Sequence, residues 1–136
     1  MKRGWMVLVL AGLLCSMIFA QAGPALSDYI AAHEALAADD FAKAAAALKA
    51  FAGKSQGNVK VLAEKAVAAK DIKSLRTAFK PLSEEVAKME IPAGFAVAFC
   101  PMFENGARWV QKGDKIANPY YGKAMSTCGS IEKKGK

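Results

Sequence analysis

An apolar stripe with helical spacing runs through the middle of the chain and dictates much of its fold. Its members follow one another at intervals of three or four residues, as on one face of an α-helix: Ile72, Leu75, Phe79, Leu82, Val86 and Met89. Asp71 precedes the stripe and is a suitable N-cap. Pro81 lies inside it, yet the apolar positions continue in phase beyond Pro81. The pattern therefore predicts one kinked helix rather than two separate ones.

Three further segments with helical spacing precede this stripe, so that residues 26–90 are expected to be helical. Ser27 and Asn58 are candidate N-caps of the first and third segments. Asp39-Asp40 marks a turn and gives the second segment a negative start, which suits the helix dipole. The apolar faces of the three segments carry Tyr29, Ile30, His33, Leu36 and Ala37, then Phe41, Ala44, Leu48 and Phe51, then Val59, Leu62, Ala66 and Val67. Four amphipathic helices with short connections predict a small antiparallel bundle, and hence a mostly α fold class.

The composition changes at Ile91-Pro92, where a segment rich in Gly and Pro begins. Residues 95–99 and 107–111 read as short strands, and the turn Glu104-Asn105-Gly106 could join them in a β-hairpin. The rest of the Cys-, Met- and aromatic-rich segment 91–131 is expected to be loop. The last lysines (Lys133, Lys134 and Lys136) are interpreted as a solvated basic tail.

The N-terminus has the pattern of a cleavable signal peptide over residues 1–22. Lys2 and Arg3 precede an apolar run of about 14 residues, which is short for a membrane span of about 20. Ala20-Gln21-Ala22 supplies the small residues of a cleavage site. We therefore expect an exported, single-domain protein of residues 23–136, with no membrane span after cleavage and without Cys15.

The two remaining cysteines each have a methionine close by in the sequence. Cys100-Pro101-Met102 and Met125-Ser126-Thr127-Cys128 bring thiols and thioethers together. Soft sulfur ligands suit Cu(I) or Ag(I). The alternative is a disulfide between Cys100 and Cys128, which is common in exported domains and contributes about 3.5 kcal/mol for a loop of this length. His33 is a weaker candidate ligand, because its place on an apolar helix face is more typical of a core or interface histidine.

A second group of candidate residues is aromatic. Trp109 and the loop Asn118-Pro119-Tyr120-Tyr121-Gly122 are expected either to plug the fold or to form a binding surface, with Trp109, Asn118, Tyr120 and Tyr121 as its members.

Other function classes find little support in the residues. The net charge of +7 is spread along the chain and is not interleaved with aromatics, so nucleic acid is not an expected partner. One histidine excludes a multi-histidine metal centre, and no phosphate loop or nucleophile with an evident base is present. We do not expect an enzyme.

The C-terminal half resembles a domain of unknown function from periplasmic heavy-metal resistance proteins, also found fused to adaptor subunits of CusB-type cation efflux systems. The resemblance rests on Cys100-Pro101-Met102, Trp109, the run from Asn118 to Met125, and Cys128-Gly129. It implies a periplasmic protein that handles copper or silver, with an efflux adaptor as a candidate partner. The alternative function is a disulfide-stapled module that docks on such an adaptor without binding metal.

Overall fold

The computed structural model describes residues 22–136. Within this range the chain forms helices α1 (Ala22–Ala37), α2 (Phe41–Lys54), α3 (Gly57–Val67) and α4 (Ile72–Ala87), then strands β1 (Phe95–Cys100), β2 (Ala107–Lys112) and β3 (Ser130–Lys134), with a short 3₁₀ turn (Gly122–Met125) before β3. The prediction of a mostly α fold with a C-terminal hairpin is confirmed. The predicted signal peptide and Cys15 lie outside the described residues, which share only Ala22 with residues 1–22.

One of the three predicted caps, Asp71, is confirmed, and Asp40 of the predicted Asp39-Asp40 turn is also a cap. The Asp40 carboxylate accepts a hydrogen bond of 3.0 Å from the Lys43 backbone N–H, and Asp71 forms a reciprocal capping box with Ser74. The caps predicted at Ser27 and Asn58 are wrong, because α1 already begins at Ala22 and α3 begins at Gly57 without a side-chain cap.

Helix α4 continues through Pro81 as one element, as its stripe predicts. It ends at Ala87, so Met89 lies beyond it and is exposed. No helix in residues 22–136 is long and apolar enough to cross a membrane.

Tyr29 of α1 joins the helices to the sheet at the centre of the core. Its hydroxyl lies 2.7 Å from the Ser83 hydroxyl of α4 and accepts a hydrogen bond of 3.2 Å from the backbone N–H of Val110 in β2. Its ring stacks on Phe79, with ring centroids 5.2 Å apart. This one buried side chain of α1 therefore contacts both α4 and β2, which fixes the orientation of the sheet on the helices.

The three strands form one antiparallel sheet with β1 in the middle. Strands β1 and β2 form the predicted hairpin, and positive φ angles at Glu104, Asn105 and Gly106 make its turn.

Strand β3 corrects the interpretation of the C-terminus as a solvated tail. Lys133 pairs with Val97 and Lys134 with Ala96, so the basic residues form the edge strand of the sheet. Their side chains remain exposed, and Ile131 alone in this strand is half-buried. The strand is held in place by backbone hydrogen bonds to β1. Such bonds do not depend on side-chain type, so the sequence pattern gives little sign of the strand.

Candidate functional site

The two cysteines of the described chain meet at the end of the sheet. Cys100 is the last residue of β1, and Cys128 stands two residues before β3. Pairing of Phe99 with Ser130 in the antiparallel ladder brings the neighbouring Cys100 and Cys128 together. Their Sγ atoms lie 2.8 Å apart, and both are free thiols. Cys100 is fully buried, whereas Cys128 is partly exposed.

Gly129 permits this close approach. Its φ of +128° is a conformation that other residues rarely adopt. A Cβ atom at this position would lie 2.8 Å from the carbonyl oxygen of Phe99 and 2.9 Å from Cη2 of Trp109. Any larger residue would therefore push the Cys128 segment away from β1. This explains why a glycine follows Cys128.

The two thiols differ in their electrostatic surroundings. Burial raises the pKa of Cys100, but hydrogen bonds from the Cys128 thiol, from the backbone N–H groups of Met102 and Phe103 and from Asn118 outweigh it, so that the pKa is lowered. The hydrogen bond to Cys100, followed by burial, raises the pKa of Cys128 to about 11. Cys100 is thus the sulfur that the site favours as a thiolate, with Cys128 as the proton donor.

Both predicted methionine ligands flank this pair. The backbone N–H of Met102 points at the sulfur of Cys100, and the carbonyl oxygen of Met125 accepts a hydrogen bond of 3.1 Å from the Cys128 N–H. Their side chains are 64% and 41% exposed, which is unusual for methionine. Each cysteine is therefore separated from one exposed methionine by a single short turn of the chain.

Asn118 holds the Cys128 segment from inside the fold. Its side-chain amide donates a hydrogen bond of 2.8 Å to the carbonyl oxygen of Cys128. Its side-chain oxygen accepts hydrogen bonds from the backbone N–H groups of Tyr120 and Tyr121, at 2.8 and 3.1 Å. The residue is fully buried, so these contacts are shielded from water. Asn118 thereby couples the aromatic loop to the cysteine pair.

The burial of the aromatic group corrects its interpretation as a binding surface. Trp109, Asn118 and Tyr120 are at most 2% exposed, and Tyr121 is half-buried. Tyr120 packs between Phe103 and Trp109, at centroid distances of 4.6 and 6.0 Å. These rings are part of the buried core, together with other apolar residues of segment 91–131 such as Val97 and Val110. The rings lie on the interior side of the cysteine pair.

His33 is also placed differently from a metal ligand. It is 2% exposed, and its Nε2 lies 2.7 Å from the carbonyl oxygen of Ala117, which commits that nitrogen to donating a hydrogen bond. Among the described residues, no group of three or more His, Cys, Asp or Glu side chains could hold a metal ion, so His33 does not join the two cysteines in such a group. The favoured interpretation of His33 as a core histidine is therefore confirmed, and the weaker prediction of His33 as a ligand is corrected.

Arg76 is a supporting residue that the sequence pattern did not single out as part of a site. From α4 its guanidinium donates hydrogen bonds of 2.8 Å to the carbonyl oxygens of Leu36 and Pro119, and it pairs with Asp39 at 2.7 Å. It therefore fastens the aromatic loop to two helices. The side chain is only 13% exposed, which is uncommon for an arginine and which its place in the helical pattern of the sequence does not reveal.

Comparison with known proteins adds no relative to this description: no protein-family model, curated protein or solved structure matches the chain. The functional interpretation below accordingly depends on the geometry and chemistry of the cysteine pair and its two methionines.

Proposed function

We propose that this protein binds a soft metal ion, Cu(I) or Ag(I), through Cys100 and Cys128 together with the thioethers of Met102 and Met125. The observation that carries the proposal is the 2.8 Å contact between the two sulfurs, with an exposed methionine one turn away from each. Two thiolates and two thioethers suit a soft ion with up to four sulfur ligands and do not suit Mg²⁺ or Ca²⁺.

The charge distribution of the site supports metal binding. A thiol must lose its proton to become a ligand, and the lowered pKa of Cys100 favours that loss. Cys128 retains its proton more strongly, with a pKa of about 11, until an ion displaces it. Binding at neutral pH should therefore release at least one proton from Cys128.

An ion requires a small opening of the pair. Metal–thiolate bonds of about 2.3 Å place two sulfurs on one tetrahedral ion about 3.7 Å apart, compared with 2.8 Å between the free thiols. Cys128 is the side chain free to move, because it is partly exposed and follows a turn, whereas Cys100 is enclosed at the end of β1. The exposed methionines can then close over the ion from the solvent side.

The setting is part of the same proposal. The predicted signal peptide over residues 1–22 and the resemblance of segment 100–129 to periplasmic heavy-metal resistance proteins support a periplasmic protein that carries the ion, with an efflux adaptor as its partner. The role we propose is binding and transfer rather than catalysis, and it involves no nucleic acid.

Titration of the reduced protein with Cu(I) against a competing chelator tests the site. We expect one ion per chain. Since loss of outer-sphere support alone costs 10- to 100-fold in metal affinity, Cys100→Ser should weaken binding by more than about 100-fold. Replacement of Met102 or Met125 by Leu should each weaken it by about tenfold.

Met89→Leu is the matched control for the thioethers. Met89 is similarly exposed, at 44%, but borders a small apolar cavity with Leu26 and Phe51. Unchanged binding in this variant would assign the effect to position rather than to loss of any methionine. Failure of the reduced wild-type protein to take up Cu(I) would refute the proposal. Wild-type affinity in both Met102→Leu and Met125→Leu would remove the thioethers from the site.

The same short sulfur contact favours a second candidate function, a disulfide-stapled module that docks on an efflux adaptor without metal. Counting thiols in the protein isolated from its own compartment separates the two candidates. Two reactive thiols at Cys100 and Cys128 favour the metal carrier, and none favours the stapled module.

A further inference from the structure

We infer that Cys100 and Cys128 form a reversible dithiol–disulfide pair that exchanges electrons with low-molecular-weight thiols and disulfides, and that this exchange enters through Cys128. The activity goes beyond metal binding, because it needs no ion and concerns the two sulfurs alone. Oxidation would also remove both thiolates from the proposed metal site.

The inference depends on an asymmetry of access between two sulfurs in contact. Cys100 is 0% exposed and is enclosed by β1 and the loop that follows it, while Cys128 is partly open to solvent. The sulfurs are 2.8 Å apart, so whichever reacts with an external reagent has the other within immediate reach. An external reagent therefore meets Cys128 first.

Oxidation by a low-molecular-weight disulfide would proceed in two exchanges. The Cys128 thiol first releases its proton to solvent, and the thiolate so formed attacks one sulfur of the reagent, forming a mixed disulfide and releasing one thiol. The Cys100 thiolate then attacks Sγ of Cys128, the mixed disulfide breaks, and the second thiol leaves. The protein loses two protons and two electrons, and the reagent becomes two thiols.

Reduction would reverse this route at the same atom. An external thiolate attacks the accessible Cys128 Sγ, the internal S–S bond breaks, and Cys100 leaves as a thiolate. The backbone N–H groups of Met102 and Phe103, which lower the pKa of Cys100, would also stabilise the departing charge. A second external thiolate then attacks the reagent sulfur of the mixed disulfide, which frees Cys128 and gives one oxidised reagent.

Trapping with glutathione disulfide tests the direction of entry. The reduced full chain, its Cys100→Ser variant and its Cys128→Ser variant are incubated with the reagent and a Cu(I) chelator, then digested with trypsin and analysed by mass spectrometry. Cleavage after Lys and Arg places Cys100 in peptide 89–108 and Cys128 in peptide 124–133, apart from Cys15. Each cysteine is therefore read separately.

We expect three results. The wild type should give peptides 89–108 and 124–133 joined by an internal disulfide, with little glutathione adduct. Cys100→Ser should accumulate the adduct on Cys128, because no partner resolves it. Cys128→Ser should accumulate adduct on buried Cys100 at least about tenfold more slowly. In urea, where the fold no longer shields Cys100, the two variants should react within a similar time.

The opposite results would overturn the inference. Persistence of both free thiols in the wild type under excess glutathione disulfide would exclude exchange. Equal trapping rates in the two folded variants, confirmed as folded by circular dichroism, would exclude entry through Cys128. Because metal is absent throughout, either result would leave the metal titration to be judged on its own.

Discussion

The side-chain amide of Asn118 donates a hydrogen bond of 2.8 Å to the backbone carbonyl oxygen of Cys128, and this contact ties the reactive turn to the interior of the domain. The amide oxygen of the same residue accepts two backbone hydrogen bonds from the aromatic loop. The position of Cys128 opposite Cys100 is thus set by a buried polar residue as well as by the sheet. The cysteine pair should respond to changes at Asn118 even though its own atoms are untouched.

Asn118→Asp removes the donated hydrogen bond and keeps the accepting oxygen. We expect the free energy of unfolding to fall by about 3 kcal/mol, because a buried carbonyl loses its donor and a charge enters the interior. Alkylation of Cys128 in the folded state should become faster as its turn loosens. The control is Asn58→Asp on the exposed first turn of α3, where the unfolding free energy should change by less than about 0.5 kcal/mol. Equal stability of the two variants in chemical denaturation would contradict this role of Asn118.

Gly129→Ala should separate the two sulfurs. The added methyl group meets the carbonyl oxygen of Phe99 and the ring of Trp109, and the main chain has to shift to make room. We expect slower formation of the internal disulfide and weaker Cu(I) binding.

Gly94→Ala supplies the matched control for Gly129→Ala. Gly94 also has a positive φ, of +88°, but nothing lies within 4 Å of the added Cβ. Gly94→Ala therefore introduces backbone strain without a steric clash of the added methyl group. Disulfide formation at the same rate in both variants would show that close packing at Gly129 does not position Cys128.

The sequence pattern predicts those parts of the fold that repeat. The stripe from Ile72 to Val86 marks α4 correctly, because every member faces the core at helical spacing. The hairpin could be predicted from its Gly-containing turn and apolar strands. Strand β3 could not, because its side chains are almost all polar and exposed and its order comes from backbone hydrogen bonds to β1.

The sequence predicts which cysteines and methionines form the candidate site, but it does not predict how they are arranged. Cysteine spacing favoured a disulfide but left a metal site open, and only the fold shows that the two sulfurs touch while the methionine side chains are exposed. The sequence left a plug and a binding surface as alternatives for the aromatic residues, because ring composition alone does not distinguish the two, and their burial supports the plug. Asn118 and Tyr120 prove buried through contacts distant in sequence, such as the hydrogen bond of the Tyr120 hydroxyl to the Arg108 carbonyl oxygen.

Tyr29→Phe should weaken the junction between the helices and the sheet. The change leaves the Ser83 hydroxyl without this partner and the Val110 N–H without its acceptor, both in the core. We expect a loss of about 2 kcal/mol in the free energy of unfolding, measured by urea denaturation. Ser83→Ala on a Tyr29→Phe background should cost less than Ser83→Ala alone, since the pair is already broken. Strict additivity in this double-mutant cycle would exclude coupling between the two hydroxyls.

His33 should make the stability of the protein fall as the pH falls through the range just below about 6.5, the usual pKa of histidine. Burial lowers the pKa of His33 in the native state and outweighs the opposing hydrogen bond to Ala117 and the charge of Glu34. The unfolded chain therefore takes up a proton at a pH where the native protein does not, and protonation favours unfolding by at most about 1.4 kcal/mol per pH unit. Above about pH 7 both states are neutral and the effect disappears.

The chain contains one histidine, so this pH range isolates a single side chain. Urea denaturation at pH 7.5, 6.5, 5.5 and 5.0 should show a falling free energy of unfolding for the wild type and a flatter profile for His33→Gln, whatever the absolute stability of the variant. Reductant is kept in all samples so that the cysteine pair does not change state. An equally steep profile in His33→Gln would assign the slope to carboxylates, which titrate at lower pH, and would mean that burial at α1 does not hold His33 neutral.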